Sequence, residues 1–170
     1  MPGKTRTGFT VRRSQEGDLE EITEIYNDAV LNSTATFDSE AKSLREKSEW
    51  IQAHDSGNPV LVAVEKGKVV GWGSISPFSD RYCYGRTVED SIYVRAGFRG
   101  RGIGKAILAA LIGEAKKSGH HAIIGRIDGE NEVSIRLHRS MGFKKVGVLR
   151  EVGRKFGRWL DVVMMELVLD

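Results

Sequence analysis

The stretch TVEDSIYV (residues 87–94) followed by RAGFRGRGIGKAILAAL (95–111) decides the fold. Residues 88–94 alternate as a strand, a turn rich in glycine and arginine follows, and Ile103, Ile107, Leu111 and Ala115 then repeat at helical spacing until Gly119. Gly100, Gly102 and Gly104 stand where the helix begins, so consecutive amides point outward with no Cβ in the way. Arg95, Arg99, Arg101 and Lys105 surround them, and no acid occurs between Ser91 and Gly113. Backbone donors at the positive end of a helix, rimmed by cations, are the chemistry of a phosphate cradle.

Two familiar cradles do not fit. A Walker loop needs glycine four residues ahead of Gly-Lys-Ser/Thr, but Arg99 stands in that place and Ala106 follows Lys105. A Rossmann fingerprint needs glycine at position 105, its first glycine directly against the strand, and several more βα units than remain. Asp128, at the end of the next strand, is the one feature in its favour.

Arg99-Gly100-Arg101-Gly102-Ile103-Gly104 resembles the Arg/Gln-x-x-Gly-x-Gly/Ala signature of the GNAT superfamily of acyl-CoA-dependent N-acetyltransferases. The likeness extends beyond the loop. TVEDSIYV before it, GENEVSIRLHRSMGF after it and REVGRKFGRWLD near the end are similar to the branch with phosphinothricin and methionine sulfoximine N-acetyltransferases, over about residues 9–170.

The composition fits this reading. The chain has 170 residues, 40% of them hydrophobic and 29% charged, as in one globular domain large enough to fold without disulfide or metal. A flexible tail is expected at 1–8 and a single domain at 9–170. The single cysteine, Cys83, has no second cysteine for a disulfide or a metal knot, and no metal is expected. No apolar run approaches the ~20 residues of a membrane span and MPGKTRTG has no apolar signal core, so the expectation is a cytoplasmic protein with no membrane partner. Residues 136–158 carry eight bases and one acid. No nucleic-acid-binding motif accompanies them, a coenzyme with three phosphate groups is a sufficient anionic partner, and no nucleic acid is expected.

Element order follows from periodicity. A strand at 9–13 precedes a helix from about Asp18 with the stripe Leu19, Ile22, Ile25, Tyr26, Ala29 and Val30. Ser43-Leu44-Arg45-Glu46 is a capping box that opens a second helix to about His54. Runs at 60–65 and 69–75 form a hairpin across Lys66-Gly67-Lys68. After the strand and helix of the cradle come a parallel strand at 122–127, a helix from about Glu132 to Gly142, and strands at 144–149 and 159–169 flanking a polar loop. The expected class is α/β (α+β), a mixed sheet of about seven strands in the order βααβββαβαββ with four helices, which is the GNAT fold.

The resemblance also implies a chemistry: transfer of an acetyl group from acetyl-CoA to an amine. It implies Glu89 as general base, the Val94 amide as oxyanion donor, and His138 at the position where many relatives carry a thiolate-protonating tyrosine. The coenzyme is expected along Ile92, Tyr93 and Val94, on Arg99, Gly100, Arg101, Gly102, Ile103, Gly104 and Lys105, and at Asn131, Ser134 and His138. The acceptor is expected between Thr34, Thr36 and Phe37, Ser79, Asp80 and Arg81, and Glu89, Asp90 and Ser91, with Arg81 suited to clamp a carboxylate. Read without the resemblance, Glu89 is a solvated or salt-bridged strand acid and His138 a packed or solvated helix residue. The implied acceptor is the α-amine of a small amino acid or analogue, reached by direct transfer in a ternary complex. A protein N-terminal or lysine acetyltransferase and a non-catalytic acyl-CoA-binding regulatory module stay open. Phe156 and Trp159 in a polar segment point to a homodimer.

Overall fold

The computed structural model describes residues 8–170, so that of the tail expected at 1–8 only Gly8 falls within it. In chain order the elements are β1 Thr10–Arg13, α1 Leu19–Asn32, α2 Leu44–Gln52, β2 Val60–Glu65, β3 Lys68–Pro77, β4 Thr87–Val94, α3 Ile103–Lys117, β5 Ala122–Asp128, α4 Glu132–Ser140, β6 Lys144–Lys155 and β7 Arg158–Val168. This is the expected order. Short 3-10 turns at Glu16–Asp18 and Tyr82–Tyr84 are additional.

Local chemistry explains the helix ends. Asp18 accepts the Gln15 amide and a bidentate pair from Arg12, which fixes the entry to α1. Ser43 and Glu46 form the reciprocal capping box of α2, Ser43 Oγ accepting the Glu46 amide and Glu46 accepting the Ser43 amide. Gly119, with φ +75°, closes α3.

The seven strands form one sheet in the order β1-β2-β3-β4-β5-β7-β6. Among the described strands only β4 and β5 run parallel, because α3 carries the chain back between them. On one face Ile103, Ile107, Leu108 and Leu111 of α3 and Ile135 of α4 pack on Ile75, Val88, Ile123 and Met165. On the other, Ile22 and Ile25 of α1 cover Val60, Val62, Val69 and Trp72. The fit under α3 depends on Gly73, where a Cβ would stand 2.6 Å from Ile107 Cγ2 and 2.8 Å from the Ser91 carbonyl.

The expected polar loop between the last two strands is corrected to continuous hairpin. β6 runs to Lys155, and Phe156 and Gly157, with φ of +50° and +73°, make a two-residue turn. Its composition reads as loop because the hairpin extends past the core with both faces near solvent, leaving no apolar alternation to detect.

The sheet opens in its middle. β4 and β5 pair only over Thr87↔Ala122, Val88↔Ile123 and Glu89↔Ile124, although both strands continue. Glu89 sits at the vertex of this fork.

Candidate active site

Beyond the vertex, one edge of β4 has no strand partner. The Arg95 amide bonds to Val70 on β3, and the Phe78 amide to Thr87. Strand backbone alternates in direction, so the N–H groups of Asp90, Ile92 and Val94 point the other way, into the fork. Val94 thus presents an amide donor there, while its carbonyl accepts Arg99 Nε at 3.3 Å.

The cradle lies at the fork's open end. Gly100 and Gly102 have φ of +75° and +79°, with open space where a Cβ would stand. Gly102 precedes α3 without a side-chain cap, and no acid lies in the first turn, which leaves the first amides of the helix to an external acceptor. These features fit a pyrophosphate. Gly104 differs, since its Cβ would meet Leu137 Cδ2 at 3.3 Å and Val94 Cγ2 at 3.7 Å, so it serves close packing of α3. The cations divide as well. Arg95 is held by Glu21 and Glu24, and Arg101 by Glu65 at 2.6 Å, whereas Arg99 and Lys105 are exposed without a carboxylate partner among the described residues.

A cavity of about 680 Å³ occupies the fork, walled by Glu89 to Tyr93 of β4, Gly125 to Asp128 of β5, and Asn131, Ser134 and His138 of α4. Thr34, Thr36 and Phe37 form a further wall. That loop is pinned: Thr34 Oγ1 donates to Asp128, Lys155 Nζ donates to the Thr36 carbonyl at 2.8 Å, and the Tyr26 hydroxyl lies 3.1 Å from Thr36 Oγ1. Ser79, Asp80 and Arg81 do not line this cavity; Arg81 is exposed in the β3–β4 connection. Cradle residues 99–105 do not line it either.

The carboxylate of Glu89 is held by Arg126, Nε to Oε1 at 2.8 Å and Nη2 to Oε2. This pairing, with the hydrogen bonds to Glu89 foremost, raises the Arg126 guanidinium above its usual value. Asp90, on the opposite face of β4, meets His138: Nε2 lies 2.9 Å from Asp90 Oδ2, and Nδ1 2.8 Å from the Ser134 carbonyl. Both ring nitrogens thus face acceptors, an arrangement that favours the imidazolium form. Burial acts to lower its pKa, but the hydrogen bond and charge of Asp90 and the Ser134 carbonyl outweigh burial and raise it. Gly125 makes room for this pair, since a Cβ there would stand 3.3 Å from His138 Nε2. Asn131 caps α4, its Oδ1 accepting the Ser134 amide at 3.1 Å, and it lines the cavity.

Sequence reasoning missed Arg126, Tyr26, Asp38 and Lys47. The signal for Arg126 was a cation inside the otherwise apolar run AIIGRI, but its meaning depends on the register with Glu89.

Known proteins agree with this architecture. Residues 19–143 match the model of the acetyltransferase (GNAT) family. The chain belongs to the GNAT acetyltransferase family. Among curated relatives, the L-methionine sulfoximine/L-methionine sulfone acetyltransferase of Salmonella typhimurium is 40% identical, over 95% of each chain. A solved phosphinothricin acetyltransferase of the GNAT superfamily from Sinorhizobium meliloti, in complex with acetyl-CoA, is 39% identical with a TM-score of 0.90, over 95% of this chain and 89% of that one. A ribosomal-protein-alanine N-acetyltransferase from Brucella melitensis is 42% identical with a TM-score of 0.92, over 94% and 99%. As a GNAT member the protein is an N-acetyltransferase.

Proposed function

We propose that this GNAT enzyme acetylates the α-amine of a small amino acid or analogue, with acetyl-CoA as donor, by direct transfer in a ternary complex. The observation that carries the reading is the fork, with a carboxylate at its vertex and an unpaired row of β4 amides along one side. Bound along that edge, acetyl-CoA supplies an acetyl thioester. The first-turn amides of α3, with Arg99 and Lys105, take its phosphates, and Asn131 Nδ2 adds a donor from α4.

Glu89, oriented by Arg126, takes a proton from the acceptor's ammonium group, directly or through a water. The neutral amine attacks the thioester carbonyl, a C–N bond forms, the C–S bond breaks, and the charge developing on the carbonyl oxygen is met by the Val94 amide. The leaving thiolate takes the second proton that the nitrogen sheds on becoming an amide, and departs as the thiol near the α4 wall, where His138 supplies positive charge; the Nε2 proton of His138 is held by Asp90, so its role is electrostatic.

The pinned loop across the cavity favours a small acceptor. The Brucella relative's name motivates a second reading, a protein N-terminal acceptor. Acetyl-CoA-dependent thiol release with a panel of free amino acids, methionine sulfone and phosphinothricin, against an alanine-ended peptide, tests both. Turnover of the free amino acids supports the proposal, and turnover of the peptide alone overturns it.

A further inference from the structure

Beside the main cavity lies a second of about 370 Å³, and the two share Tyr26, Asp38, Ser91 and Tyr93 in their walls. Its inner end holds Lys47, which is only 4% exposed. The ammonium stands 3.7 Å from the Tyr26 ring centroid, 4.2 Å from that of Trp50 and 4.6 Å from that of Trp72. Among the described residues no acceptor lies within hydrogen-bond or ion-pair distance of it, and the charge of Asp38, engaged elsewhere, reaches it only from farther off. A second donor in this wall is also unanswered, as Trp72 Nε1 is buried with no acceptor among the described residues.

An unanswered buried ammonium is costly, and aromatic faces return only part of the lost hydration. A packing role alone is better served by methionine or leucine, so the charge calls for another explanation. Elimination sharpens it. Of the other cations lining the two cavities, Arg126 is bound by Glu89, His138 by Asp90, and Lys42 by Asp38 at 3.4 Å. Asp38 is further committed to the Tyr26 hydroxyl at 2.5 Å. Arg81, suited by its chemistry to clamp a carboxylate, stands outside the cavity. Lys47 is therefore the lining cation left for an anionic group.

We infer that Lys47 in its aromatic box, with Trp72 Nε1, forms the receptor for an anionic oxygen group of the acetyl acceptor, and so selects acidic amine substrates over neutral ones. This rests on the amino-acid acetyltransferase reading above. Ser91 lies on the wall common to both cavities, two residues along the same face of β4 from Glu89, so an acceptor spanning them puts its amine at the base and its anion at Lys47. The rings exclude water around Lys47, which strengthens its attraction for an anion.

Two groups can supply the anion: the α-carboxylate, or an acidic side chain such as the phosphinate of phosphinothricin. The test compares wild type with Lys47→Met on phosphinothricin, methionine sulfone and the α-amides of both, with acetyl-CoA affinity and melting temperature as checks of folding. Wild type should prefer the anionic member of the relevant pair. In Lys47→Met, KM for that member should rise by about 10- to 100-fold, as for loss of a hydrogen bond to a charged group, and the gap within the pair should close. Closure between each acid and its amide assigns the α-carboxylate; closure only between phosphinothricin and the sulfone assigns the side chain. Lys47-resolved NMR of the wild-type protein covers a variant that does not fold: adding the anionic acceptor should move the ammonium titration upward, and no movement overturns the inference. Acetyl transfer by wild type with unchanged KM values in Lys47→Met overturns it alone. Failure of wild type to acetylate any of these acceptors overturns it together with the proposed function.

Discussion

Arg126 on β5 holds both carboxylate oxygens of Glu89 on β4, at the last register position before the two strands part. The pair bridges the fork at its vertex and fixes the direction in which the Glu89 carboxylate faces the cavity.

If Glu89 is the base, Glu89→Gln should lower turnover by about 10²- to 10⁴-fold at neutral pH while binding acetyl-CoA normally. The loss should shrink toward alkaline pH, where the acceptor amine is already deprotonated in solution. A glutamine also loses one of the Arg126 bonds, and were that the whole effect, the loss would stay constant with pH. Turnover measured against pH for both proteins decides.

Gly102→Val places a branched side chain at φ +79°, in open space beside the first amides of α3. Acetyl-CoA affinity by isothermal titration should fall at least tenfold in the folded variant. Gly104→Val acts differently, because its side chain meets Leu137. It should lower the melting temperature, and unchanged coenzyme affinity in Gly102→Val would place the phosphates elsewhere.

The Asp90–His138 pair makes stability depend on pH with a definite sign. The folded pKa of His138 is raised above 6.5, so the pair contributes fully below the unfolded value and its contribution is lost as pH rises through the folded one. His138→Leu leaves Asp90 buried without its counter-charge and should cost about 3–5 kcal/mol in urea unfolding. That difference from wild type should diminish as pH rises above about 6.5 and through the folded value of His138; an unfolding difference that grows with pH over that range contradicts the assignment.

Leu149, Val152, Phe156 and Trp159 expose 47%, 55%, 57% and 62% of their surface along the β6–β7 hairpin. We propose that this face joins two copies. Sedimentation should give a dimer at micromolar concentration, and Trp159→Glu a monomer with an intact fold. A monomeric wild type rejects the interface.

What the sequence determined by itself was whatever local chemistry encodes. The Ser43–Glu46 capping box, the glycine and arginine turn before α3, the apolar stripes of α1 and α3 and the run of β2 each carry their signal within a few residues, because helix caps, turns and periodic faces are short-range. Element order followed, and the cradle with it. Only the tertiary structure decided which side chains meet across it. Arg126 reaches Glu89 through a parallel register 37 residues apart in sequence, and His138 reaches Asp90 across 48. Lys47 is buried because α1, α2 and β3 bring Tyr26, Trp50 and Trp72 around it, though on its own helix it reads as a solvated charge. The hairpin over residues 150–158 and the exclusion of Arg81 from the cavity belong to the same class. Register, strand separation and burial are properties of the assembled sheet, and no local stretch of the chain contains them.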